Sequence, residues 1–95
     1  IIIGGWATYT PEDLFSDSRW HPVSAVKNKR VFKTPSGRAN FSPYAALMAI
    51  MTAHWCYPQK LSADEAMKRI NHYHQIFYGI RFDEVHPDFA KGFVR

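Results

Sequence analysis

Apolar residues open the chain without a break, since Ile1, Ile2 and Ile3 precede Gly4 and Gly5. Three β-branched residues in a row predict a strand covered on both faces. The two glycines then release the backbone into a turn. Thr10 suits an N-cap, Pro11 the first helical position, and Glu12 and Asp13 the positive end of a helix. A short helix is therefore predicted from Pro11 to about Asp17. Ser18 to Ser24 reads as irregular, with Trp20 anchored under the loop and His21-Pro22 as a turn. Arg30 to Thr34 alternates in part and predicts a second strand, which Pro35-Ser36-Gly37 ends.

The pattern changes after Ser42-Pro43. From Tyr44 to Tyr57 apolar residues fall on nearly every helical face, which predicts a helix buried all round, with Cys56 as a small core residue. Pro58 ends it. Ser62 and Glu65 have the spacing of a capping box, and Gly79 suits the left-handed residue past a helix end. Between them Ala66, Ile70, Tyr73 and Phe77 form one apolar stripe. Phe82 to Arg95 is loosely patterned, with one helical turn expected before Gly92. The order of elements predicts an α/β fold, a partial three-layer lobe with a parallel or mixed sheet flanked by helices. The division expected is residues 1–80 as part of that lobe and residues 81–95 as a tail.

Composition narrows the classes. The 95 residues are 46% hydrophobic and 21% charged, which excludes a disordered chain. One cysteine excludes an internal disulfide framework and a multi-cysteine zinc site. The longest purely apolar run, Ala45 to Met51, is far short of the roughly 18 residues of a membrane-spanning helix. The net charge of +4 is spread along the chain, with only Lys27, Lys29, Arg30 and Lys33 close together. That grouping reads as a solvated turn better than as a nucleic-acid site. The opening on a strand and the helix apolar on all sides suggest a piece of a longer protein.

Candidate chemistry gathers at the strand ends, because ligands of open α/β sheets collect outside the carboxyl ends of the strands. Gly4 to Tyr9 and Thr34 to Phe41 are those two loops. They offer Trp6, Tyr9 and Phe41 as flat apolar surfaces and Arg38 as a cation for carboxylate or phosphate. His21, His54, His72, His74 and His86 show no metal-binding spacing; His72 and His74 point to different sides of a helix. No nucleophile motif and no phosphate loop is present. The two loops are therefore suited to a large ligand with apolar faces and negative groups, and no catalytic residues, no metal ligands and no cofactor are expected.

Several phrases carry a resemblance. Asp17-Ser18-Arg19-Trp20, Ser24 to Phe32, the Ser42-Pro43 start of the apolar helix, Trp55 to Leu61, and Phe77-Tyr78-Gly79-Ile80 occur in a characteristic order. Over about residues 1–80 the chain resembles the C-terminal lobe of substrate-binding proteins of ABC importers, in the group that handles ferric siderophores, haem and cobalamin. The resemblance implies a two-lobed protein that holds an iron chelate, haem or corrinoid between its lobes and delivers it to the membrane permease. It implies a periplasmic or otherwise extracytoplasmic location, free or lipid-anchored in the full-length protein. It also places Trp6, Tyr9, Arg38 and Phe41 on the ligand side. The family's permease-docking acid lies upstream of the opening strand and is not carried onto Glu12. Two other classes stand beside this reading: an α/β enzyme fragment with its catalytic residues upstream, and a small basic nucleic-acid-binding domain.

Replacing Arg38 by alanine in the full-length protein is expected to weaken binding of an anionic ligand several-fold and leave folding nearly intact. Unchanged affinity in a fluorescence-quenching titration would remove Arg38 from the site.

Overall fold

The computed structural model describes residues 1–35 and 42–94. The chain forms two compact units, residues 1–37 and 38–95.

The first unit is built on a short parallel ladder. Strand β1 (Ile2–Ile3) pairs with β2 (Phe32–Lys33) in the register Ile2 opposite Phe32 and Ile3 opposite Lys33. The Phe32 N–H donates to Ile1 O at 2.9 Å, and the Thr34 N–H to Ile3 O at 3.0 Å. Alternation along β1 turns Ile3 inward, at 4% exposure, and leaves Ile2 41% exposed. Helix α1 (Pro11–Ser16) links the strands' halves of the unit and presents Leu14 to its core. Its N-terminus is the predicted one: Thr10 Oγ1 accepts from the Asp13 N–H, and the Asp13 carboxylate accepts from the Thr10 N–H at 2.7 Å. A 3-10 turn (Ser18–Trp20) and helix α2 (Ser24–Lys27) complete the connection. Ile3, Leu14, Val26 and Val31 form the core, with Ala7 and Phe15 packed against it.

The second unit is helical. Helix α3 (Tyr44–Cys56) packs on α4 (Ala63–Tyr78), and α5 (Phe82–Val85) and α6 (Pro87–Val94) close against α4. The Ser62 hydroxyl caps α4 by accepting from the Glu65 N–H at 3.2 Å. Gly79 ends it at φ 75°, in the left-handed region that glycine enters at little cost. Leu47, Met48, Met51 and Trp55 on α3, Ala66, Met67, Ile70 and His74 on α4, and Phe82, Ala90 and Phe93 beyond are buried. The Trp55 and Phe93 rings meet at 6.0 Å between centroids.

Several expectations are corrected. The fold is not a three-layer α/β lobe: 61% of the described residues are helical, and the sheet is two strands of two residues each. Gly4 stops β1 and Pro35 follows β2 closely, so the ladder cannot lengthen, and the remaining apolar pattern has helical periods. Helix α3 is not buried all round. Its large side chains face in, while Ala45, Ala46, Ala49 and Ala53 are exposed. Hydropathy scores alanine as apolar, but a methyl group gains little from burial, and alanine suits an exposed helical position through its backbone propensity. Cys56 is exposed, not a core residue. The buried stripe of α4 is rotated from the one expected: His74 is buried at 2%, whereas Tyr73 and Phe77 are 42% and 45% exposed and stack on each other. Trp20 is 41% exposed and is not an anchor beneath its loop. The stretch expected to be irregular holds the 3-10 turn Ser18–Trp20 and the start of α2, and α5 and α6 occupy the residues after Ile80 where one helical turn was expected.

Gly79 gives a clean test of this architecture. A Cβ there meets nothing within 4 Å, so Gly79→Ala isolates the cost of the left-handed backbone. The substitution is expected to lower stability by about 1–2 kcal/mol in a denaturant titration. No change would mean that α4 does not end in this conformation.

Candidate functional site

The parallel pairing puts the carboxyl ends of β1 and β2 at one edge of the first unit, and the loop Gly4–Tyr9 leaves from that edge. The loop is held from β2. The Gly5 N–H donates to Thr34 Oγ1 at 2.8 Å. The Lys33 ammonium donates to Ala7 O at 2.8 Å and to Tyr9 O at 3.1 Å. Within the loop, the Ala7 N–H closes a turn on Gly4 O at 2.9 Å. Lys33 of β2 and Thr34 immediately after it thus fix three points along a five-residue stretch.

Trp6 and Tyr9 lie on this braced loop, 77% and 50% exposed. The Trp6 indole lies over Gly4. A Cβ at Gly4 would stand 2.6 Å from Trp6 Nε1 and 2.9 Å from its Cε2, so only glycine allows this close approach without displacing the ring. Beside the loop is a concavity of about 470 Å³, within the size range of small-molecule sites. Ile2 and Gly4 line it together with Trp6, Tyr9 and Trp20, and Asp13 and Asp17 contribute carboxylates. Both carboxylates are engaged. Asp13 completes the cap of α1. Asp17 accepts from the Arg19 side chain at 2.7 Å and from its backbone N–H at 3.0 Å, and these bonds hold its carboxyl below the ordinary value.

The structure therefore brings two of the four expected ligand-side residues, Trp6 and Tyr9, to one concavity. Arg38 and Phe41 lie outside the described residues. The cations near the site, Arg19 and Lys33, are turned to Asp17 and to the loop carbonyls, so the described part of the concavity offers apolar and aromatic surface. Lys33 and Thr34 support the site from the end of β2, a role that no motif in the sequence marks. Trp20 joins the concavity from a stretch read as irregular.

The second unit contains a separate polar cluster. The Tyr44 hydroxyl lies 2.9 Å from His74 Nε2 and 3.3 Å from His86 Nε2. No group of three or more His, Cys, Asp or Glu among the described residues is placed to hold a metal ion, and no helix among them is long and apolar enough to cross a membrane.

Set against family models, curated proteins and solved structures, the chain finds no match in any of the three comparisons.

Removing the Lys33 cation tests the brace. Lys33→Met keeps the stem and deletes both bonds to the loop, and is expected to cost about 1–2 kcal/mol. Amide exchange at Gly5 to Tyr9 should quicken, while that of α4 stays unchanged. Equal exchange in the loop before and after would show that Lys33 does not hold it.

Proposed function

We propose that this chain supplies a ligand-facing surface of a binding protein that captures a large, flat, partly apolar metal complex for import. An iron chelate, haem or a corrinoid is the class it takes, and a membrane permease of the ABC type is the recipient. One observation carries the reading: an exposed indole and an exposed phenol stand on a loop that is braced at three points, at the carboxyl edge of a parallel strand pair.

Physical chemistry supports that use. An exposed tryptophan in a mobile loop would lose conformational entropy on contact with a ligand. Here the backbone is already ordered, so more of the stacking energy reaches the complex. Aromatic side chains bury 150–250 Å² or so each and suit the faces of a macrocycle or a chelate. No bond is made or broken in capture, in keeping with a site whose two carboxylates are tied up in caps and ion pairs. The sequence resemblance adds the class of cargo and the transport role.

The test uses tryptophan emission of the chain titrated with hemin, with cobalamin and with a ferric trihydroxamate. At least one of the three is expected to quench emission saturably. Trp6→Ala should weaken that ligand roughly tenfold or more, the size of effect expected for an aromatic anchor. Saturable binding that Trp6→Ala and Tyr9→Ala both leave untouched would place the ligand elsewhere, and no saturable binding of any of the three would sink the proposal.

A further inference from the structure

The outer edge of β1 carries an unused donor and an unused acceptor. Along a strand, the N–H and C=O of one residue point to one side and those of the next residue to the other. Ile1 and Ile3 face β2. The Ile1 amino group donates to Arg30 O at 3.1 Å, and the Ile1 and Ile3 carbonyls accept from the Phe32 and Thr34 N–H groups. Ile2, between them, therefore turns its N–H and C=O away from β2. Neither group has a partner among the described residues, and Ile2 is exposed. The concavity described above runs along this edge. Ile1, Ile2, Ile3 and Gly4 all line it. Successive side chains of a strand point to opposite faces, so a space that touches four residues in a row lies beside the strand and not over one face.

In solution water bonds to both groups of Ile2, and a ligand seated there has to replace those bonds. One primary carboxamide replaces both. Its NH2 donates to Ile2 O, and its oxygen accepts from the Ile2 N–H. A carboxylate only accepts, and so does an ester, so either leaves the Ile2 carbonyl without a donor. A carboxylate meets a second cost from charge. Asp13 and Asp17 line the same concavity. Asp17 is bonded to Arg19, whereas Asp13 has no ion-pair partner among the described residues. The Lys33 ammonium is held by the Ala7 and Tyr9 carbonyls. The described walls thus favour a neutral group that both gives and takes a hydrogen bond.

We propose that the Ile2 edge recognises a primary carboxamide, so that the concavity selects an amide-bearing metal complex over one with a carboxylate rim. This selection rests on the function proposed above and chooses among the classes named there. An amidated corrinoid fits it. The macrocycle offers an apolar face to Trp6 and Tyr9, and its rim carries primary amides. Haem carries carboxylates at its rim and no amide. The hydroxamates of a ferric trihydroxamate have given their protons up to bind the metal and can only accept. Because the backbone of Ile2 makes the contact, the preference is independent of the side chain at that position.

Three complexes that share one ring, one metal and the same cyanide ligands provide the test. Dicyanocobinamide has an amide rim, dicyanocobyrinic acid heptamethyl ester an ester rim, and dicyanocobyrinic acid a carboxylate rim. Each is titrated into the whole chain at neutral pH and followed by quenching of tryptophan emission, with hemin alongside. The amide is expected to bind about tenfold more tightly than the ester, the effect of one carbonyl left without its donor, and the acid to bind most weakly. Ile2→Pro removes the outward N–H and leaves the bonds to β2 in place, since proline is accepted on an edge strand whose N–H faces outward. It is expected to weaken the amide about tenfold relative to Ile2→Val, which keeps the N–H. Equal affinity for amide and ester overturns the carboxamide assignment but leaves a receptor for flat complexes, and so does saturable binding of hemin without any of the three corrinoids. Amide affinity that is the same in Ile2→Pro and Ile2→Val removes Ile2 from the site. Should Ile2→Pro not fold, the ligand series on the unaltered chain decides. No saturable binding of any complex overturns the selection and the proposed function together.

Discussion

Two residue pairs hold the N-terminal unit together, Ile2 with Phe32 and Ile3 with Lys33. A parallel ladder this short has few hydrogen bonds of its own, so its persistence depends on what each strand does on its flanks. Ile3 is anchored in a core with Leu14, Val26 and Val31. On the other side Lys33 and Thr34 leave the ladder and bond into the loop that follows β1. The side-chain bonds therefore extend the pairing past the point where glycine ends it. The same contacts that keep the strands in register also give Trp6 and Tyr9 a fixed platform, so the fold of this unit and its candidate site rest on one set of interactions.

The second unit is held differently. Its core is a belt of large side chains from four helices, and Phe82 is fully buried within it. Helix α5 has only four residues, too few for independent stability. It is placed by Phe82 packing, by the mutual bonds of Asn71 and Asp83, and by His86 reaching Tyr44. Buried polar groups need partners, and among the described residues no buried side-chain polar atom lacks one. The buried His74 meets that requirement on both ring nitrogens.

What could be read from the residues was whatever local chemistry dictates. Thr10 with Pro11 and Asp13, Ser62 with Glu65, and Gly79 marked helix ends because capping involves neighbours in sequence. The strands around Ile2 and Phe32 were visible from β-branching and from the breakers beside them. The rest depended on contacts between distant residues. His74 is buried because Tyr44, thirty positions earlier, gives it a partner, and that shifts the inward face of α4 away from Tyr73 and Phe77. The short helices α2, α5 and α6 have weak propensity and form where packing holds them. Helix α3 misled because hydropathy ranks Ala49 beside Met51, though side-chain size separates the face that is packed from the face that is not. At the site, Trp6 and Tyr9 followed from the rule for strand ends, and Lys33 did not, because nothing in a single strand tells which carbonyls its ammonium will reach.

Cys56 has a practical consequence. It is the chain's single thiol, it is exposed, and it closes the helix whose bulky residues face the other way. Two copies in air can join through it by thiol–disulfide chemistry without disturbing either core. A covalent dimer found after purification without reductant would then report the oxidant and not an assembly. The same thiol takes a single dye or spin label at a known place, which makes the chain easy to follow without engineering a new attachment point.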